Sequence, residues 1–249
     1  MTETDRRVAL IADAGFYVGP SLSRLLAERE HDLVLGDPDP ALVDELTSAG
    51  TQVEVVTGAR DLSEPEAAER LVTAGLERFG HIDAATAFSG LIVVGRFLES
   101  SVDDLHTVTR GCLEAPYRFL RAVVPTMVDQ DGGGQVLIFT SATGARPTPG
   151  APLYSTARAG ANMLVRNVAA EVAAKNVQVN AVGTNFIDFP GFLQASRAED
   201  PEGRARVEAQ VPMGRLGSLD ELAHFSAPFL DGTSRFATGQ FVAFAGGWA

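Results

Sequence analysis

Short apolar runs alternate with longer stretches of helical periodicity along almost the whole chain, and this alternation restricts the fold more than any single motif. The strand-like runs are Val8–Ala12, Leu33–Leu35, Val53–Val56, Ile82–Phe88, Gln135–Thr140, Val177–Val182 and Gln240–Phe244. Helical patterns fall at about 19–29, 40–49, 64–79, 102–129, 152–174 and 218–230. Several of the runs show no polar alternation, as strands covered on both faces do. Seven strands with helices between them predict one α/β domain over residues 1–249, a doubly wound parallel sheet with helices on both faces. The stretch from Phe189 to Val211 is less regular and predicts a cap. Ligands of such sheets sit beyond the carboxyl ends of the strands. Chemistry is therefore expected at the first strand–helix turn, the end of strand five and the loop after strand six.

Composition narrows the partners. A formal charge of −12 disfavours nucleic acid or an anionic membrane, since both need a basic footprint. No apolar run approaches the roughly 20 residues that span a bilayer. The start, Met-Thr-Glu-Thr-Asp-Arg-Arg, does not read as a signal peptide, and the single Cys112 suits a reducing compartment. A cytoplasmic protein is the expectation. His31, His81, His106 and His224 lie far apart and make no ligand pair, so no metal is expected.

The first turn runs Ala12-Asp13-Ala14-Gly15-Phe16-Tyr17-Val18-Gly19. It resembles the T-G-x-x-x-G-x-G turn of the short-chain dehydrogenases, whose glycines let backbone approach a pyrophosphate. Asp13 takes the place of the first glycine and Tyr17 that of the middle one; only Gly19 remains. A carboxylate there repels a pyrophosphate, and an aromatic ring fills the cofactor's volume. No nicotinamide cofactor is expected. Asp37, at the offset of a ribose-binding acid, also reads as a turn residue in Asp37-Pro38-Asp39-Pro40.

Strand five ends in Ile138-Phe139-Thr140-Ser141-Ala142-Thr143-Gly144. Twelve residues separate Ser141 from Tyr154, and Arg158 follows four further on, on the same helix face. Ser141, at a strand's carboxyl end, can meet this pair across the cleft. An arginine stabilises a phenolate by opposite charge, although its planar fork replaces a lysine poorly as a ribose holder.

With Ser141, Tyr154 and Arg158 on one site and Tyr17 in the first turn, the chain resembles the halohydrin dehalogenases from strand one to Gly246-Gly247-Trp248. The stretch Thr184-Asn185-Phe186-Ile187-Asp188-Phe189-Pro190-Gly191-Phe192 is most similar to their G-type branch. The resemblance implies a Rossmann-like fold and a carbon–halide lyase without cofactor. Its substrates would be a small halohydrin or epoxide, bulky or cyclic epoxides included, and a small anion such as halide, azide, cyanide or nitrite. Tyr154 would take the hydroxyl proton, Ser141 would hold the oxygen, and the oxyanion would expel halide.

The implied halide or nucleophile pocket comprises Tyr17, Thr184, Asn185, Phe186 and Ile187, with backbone N–H groups and the Asn185 amide forming an anion-binding concavity. Asn185 also fits a turn residue. Ala142, Phe189 and Phe192 would line the substrate pocket, the phenylalanines packing the cap as well. Ser89 stands where some members have a carboxylate that orients the arginine. Cys112 reads as a small buried residue rather than a nucleophile. A homotetramer, a dimer of dimers through the helices at about 102–129 and 152–174, is implied by resemblance, and Trp248 is expected to dock near a subunit contact. Two other readings stay open: an NAD(P)-dependent short-chain oxidoreductase with a degenerate glycine motif, and a non-catalytic binding protein.

Overall fold

The computed structural model describes residues 6–88 and 93–249. Seven strands, β1 (Arg7–Ile11), β2 (His31–Gly36), β3 (Val53–Val56), β4 (Ala84–Phe88), β5 (Gly134–Ser141), β6 (Val177–Thr184) and β7 (Phe241–Phe244), form one sheet in the order β3-β2-β1-β4-β5-β6-β7. Every neighbouring pair is parallel. The helices are α1 (Gly19–Glu28), α2 (Pro40–Ser48), α3 (Ala67–Phe79), α4 (Val102–Thr109), α5 (Ala115–Asp129), α6 (Pro152–Val172), α7 (Pro190–Ser196), α8 (Pro201–Glu208) and α9 (Leu219–Ser226).

The local sequence explains where these helices begin. Asp39 caps α2 by accepting from the Ala41 N–H at 2.8 Å, with Pro40 at the first helical position. Reciprocal caps open α4 (Ser101 with Asp104) and α9 (Ser218 with Glu221).

Side chains of successive strand residues point to opposite faces, so each central strand feeds two cores. Leu10, Ile138 and Val179 pack with Leu71, Phe119 and Met127 of α3 and α5 on one face. Ile11, Leu137, Phe139 and Val182 pack with Leu22, Leu26 and Leu222 of α1 and α9 on the other. All residues of β5 are buried, which is why its sequence shows no polar alternation. Each such leucine or phenylalanine contributes about 1.5–3 kcal/mol.

Two expected elements differ. The single helix expected at 102–129 is broken by a π-turn at Arg110–Glu114. Pro116 has no N–H to bond the Cys112 carbonyl, and Gly111 weakens the helix just before it, so the turn widens. The irregular cap contains two short helices, α7 and α8, both opened by proline.

Candidate active site

The β5–β6 register places Ser141 opposite Thr184, the last residue of each strand. The Ser141 hydroxyl accepts from the Thr143 N–H at 3.2 Å and from the Thr143 hydroxyl at 2.9 Å, and points toward the Thr184 carbonyl at 3.4 Å. Tyr154 and Arg158 enter from the first turns of α6. Arg158 is fully buried, its Cζ 5.1 Å from the Tyr154 ring centroid, a cation–π distance. Burial works against the guanidinium charge, but Tyr154, then Cys112, together with a hydrogen bond to Tyr154, outweigh it and raise the Arg158 pKa.

A cavity of about 250 Å³ opens beside these groups. Its wall brings together Ser141 and Tyr154 with Tyr17, Thr184, Asn185, Phe186, Ile187, Phe189 and Phe192. Ala142, expected in the substrate pocket, is instead fully buried and does not reach this wall, because it starts the tight turn under Ser141. Arg158 likewise stays behind Tyr154 rather than in the cavity. Cys112 is buried among Val108, Ala151, Tyr154 and Ala157. Ser89 lies outside the described residues.

Three contributors escaped the sequence reading. Thr143 orients Ser141, and its signal was the Ser-x-Thr spacing of a side-chain turn. Phe88, at the end of β4, stacks on Tyr17 with centroids 4.5 Å apart. Arg60 bridges to Asp13, Nε to Oδ1 at 3.3 Å, from a loop distant in sequence. Neither of the last two carries a local signal.

Two backbone groups of the expected anion concavity after β6 have partners inside the protein. The Asn185 N–H donates to the Phe244 carbonyl at 3.3 Å and the Phe186 N–H to Asn185 Oδ1 at 2.9 Å. Two of the proposed donors are thus engaged within the protein. The Tyr17 hydroxyl donates to Thr184 Oγ1 at 2.9 Å, and burial pushes its phenol above the ordinary range, so it stays neutral.

The first turn can be tested against a dinucleotide. The Tyr17 ring spans from the turn to β6, wedged between Phe88 and Phe189, whose centroids lie 4.5 and 4.7 Å away. Burial raises the Asp13 pKa, opposed by Arg60, and the Arg60 side chain lies over Gly15, 3.3 Å from where a Cβ would stand. Asp37 is engaged as well. Its carboxylate accepts from the backbone N–H groups of Gly58, Ala59 and Arg60 at 2.6, 2.8 and 2.7 Å, the turn role. So held, Tyr17 and Arg60 fill the first turn, and a dinucleotide would have to displace both.

Comparison with known proteins gives the lineage. A family model described as Enoyl-(Acyl carrier protein) reductase matches residues 18–249. The chain belongs to that family, within the short-chain dehydrogenase/reductases. This reductase-family chain is similar to a 3-oxoacyl-(acyl-carrier-protein) reductase, FabG, of Thermotoga maritima, 25% identical over 97% of each protein. It is also similar to the oxidoreductase UcpA of Escherichia coli, 27% identical over 97% of the chain and 94% of the relative. Among solved structures, a levodione reductase superposes with a TM-score of 0.86 at 25% identity, over 97% of this chain and 96% of that one.

These names overturn the expected halohydrin dehalogenase. The relatives are oxidoreductases, not carbon–halide lyases. A Ser–Tyr–Arg set with an aromatic first turn resembled that family, but a few residue types at one site describe proton transfer and not the bond that breaks.

Proposed function

We propose that this chain is a short-chain oxidoreductase acting at the hydroxyl or carbonyl oxygen of a small, largely apolar substrate. The observation that carries the reading is one shared cavity: Ser141 and Tyr154 open into it together, with the buried Arg158 cation behind the tyrosine ring. Aromatic walls from Phe88, Phe186, Phe189 and Phe192 suit an apolar substituent. Relatives named as oxidoreductases supply the reaction class.

In this reading the substrate oxygen sits between the two hydroxyls. Ser141, its own lone pairs occupied by Thr143, turns its proton from the Thr184 carbonyl to that oxygen. Tyr154 delivers the proton as negative charge builds on a carbonyl oxygen, or removes it from an alcohol. Arg158 stabilises the phenolate left behind, in a site where low dielectric strengthens the attraction. Redox turnover further requires a hydride donor. A nicotinamide would supply it, but only once Tyr17 and Arg60 have left the first turn.

The test is ketone reduction and secondary-alcohol oxidation with each of the four nicotinamide forms, following the nicotinamide absorbance. Turnover by the wild type that disappears in Tyr154→Phe is the expected result. No turnover and no nicotinamide-induced shift in melting temperature would overturn the assignment.

The homotetramer is part of the same proposal. Leu105 on α4, Tyr117 on α5 and Met163 on α6 are exposed apolar residues on the helices that would pair, and light scattering after gel filtration reports the mass.

A further inference from the structure

Phe186 stands between two cavities. One is the cavity beside Ser141 and Tyr154. The other, of about 240 Å³, lies among Val211, Met213, Arg215, Glu221 and Phe244. Among the described residues, only the segment from Asn185 to Ile187 lines both.

The backbone of Phe186 has φ +58°, a conformation that a bulky aromatic residue adopts only when its surroundings impose it. The surroundings here are explicit. Its N–H donates to Asn185 Oδ1 at 2.9 Å, and its carbonyl accepts from the Gly217 N–H at 2.9 Å. Its ring is buried, meeting Phe192 edge-on at 5.9 Å and Trp248 at 5.5 Å. Trp248 is held in turn by Arg146, whose guanidinium sits 4.7 Å from the indole centroid and whose Nη1 donates to the Trp248 carbonyl at 2.6 Å. The chain's C-terminal segment therefore crosses from β7 to the loop after β5 and backs the Phe186 ring. Trp248 docks within its own chain, on the cap.

We infer that Phe186, backed by Trp248 and Arg146, is the partition that limits substrate length: it confines the apolar substituent to the cavity beside Tyr154 and closes off the second cavity behind it. The inference rests on the reading that the Tyr154 cavity takes the substrate. With the ring removed, the two cavities join, and a longer alkyl substituent enters the space lined by Val211, Met213 and Phe244.

The chain contains a single tryptophan, so intrinsic fluorescence reports on this wall without any need for turnover. Titrate wild type, Phe186→Ala, Phe186→Leu and Arg146→Ala with 2-alkanones of increasing chain length, and read Trp248 emission. The expected result is a binding optimum at short chains in wild type and Phe186→Leu. In Phe186→Ala the long-to-short affinity ratio rises about tenfold, the factor that two additional buried methylenes supply. Arg146→Ala shifts the optimum the same way by less. Phe186→Gly, free to adopt the positive φ, keeps a higher melting temperature than Phe186→Ala. A chain-length profile unchanged in folded Phe186→Ala would overturn the partition. If no ketone of any length perturbs Trp248 or binds by calorimetry in any variant, the substrate reading of the cavity falls, and the partition with it.

Discussion

The β1–α1 turn and the β5–α6 site lie at the carboxyl ends of the same sheet and face each other across one crevice, yet they are built in opposite ways. At β5–α6 the hydroxyls of Ser141 and Tyr154 face open space, and the Arg158 charge is tucked behind the tyrosine ring. At β1–α1 the protein fills its own crevice: Tyr17 is hydrogen-bonded to Thr184 and wedged between two rings, and Arg60 covers Asp13. A doubly wound sheet thus lets one end of its crevice stay open beside two hydroxyls while side chains fill the other, because loops at the strand ends can differ without disturbing the strands that carry them.

The contrast can be broken most directly at the open side. Tyr154→Phe leaves the ring over Arg158 but removes the transferable proton and the hydroxyl that bonds Arg158, so activity should fall by about 10²–10⁴-fold with an unchanged circular dichroism spectrum. An equally active variant would remove Tyr154 from the chemistry.

The filled side is sharpened by Tyr17→Gly. Loss of the buried ring should cost about 3–5 kcal/mol of stability, read as a large drop in the urea midpoint, while nicotinamide affinity rises over wild type. If the variant folds and binds NADP no better than wild type, the ring is not what separates the two regions. Tyr17→Phe is milder. It removes only the hydrogen bond to Thr184, about 1 kcal/mol, which in a chain of this size lowers the melting temperature by about 2–4 °C.

The smallest effect belongs to Asp13→Asn. Burial raises the folded-state pKa of Asp13 above its ordinary 3.8, so the native state holds that proton more tightly than the unfolded chain does. The group's stabilising contribution is present below pH 3.8 and is lost as pH rises through the folded value. Asp13→Asn should therefore match wild type in acid and equal or slightly exceed it at neutral pH, by less than about 1 kcal/mol once the Arg60 bridge is discounted. A variant less stable than wild type at neutral pH would show that the Arg60 bridge dominates.

Much of the architecture was legible because it is written in short-range patterns. Strand cores such as Val136–Phe139 lack polar residues for the simple reason that both faces are covered. Ser141, Tyr154 and Arg158 were legible because a strand end and an i,i+4 pair on one helix need only local geometry to converge. The π-turn at Arg110–Glu114 was not, since Pro116 alone does not announce whether a helix ends, kinks or widens. The reaction class was misread for a related reason: the same hydroxyls and cation serve any proton transfer at oxygen.

The sequence by itself determined the succession of seven strands along the chain, the burial of the central strands and which polar residues stand at the end of β5 and the start of α6, all of which follow from periodicity and residue type. Only the tertiary structure decided what surrounds them. It brought Arg60 over Asp13, sent the Asn185 and Phe186 N–H groups to internal acceptors, and laid Trp248 on Phe186. Those contacts join residues far apart along the chain, and their free energy comes from burial and hydrogen bonds that exist only once the sheet and its loops are assembled.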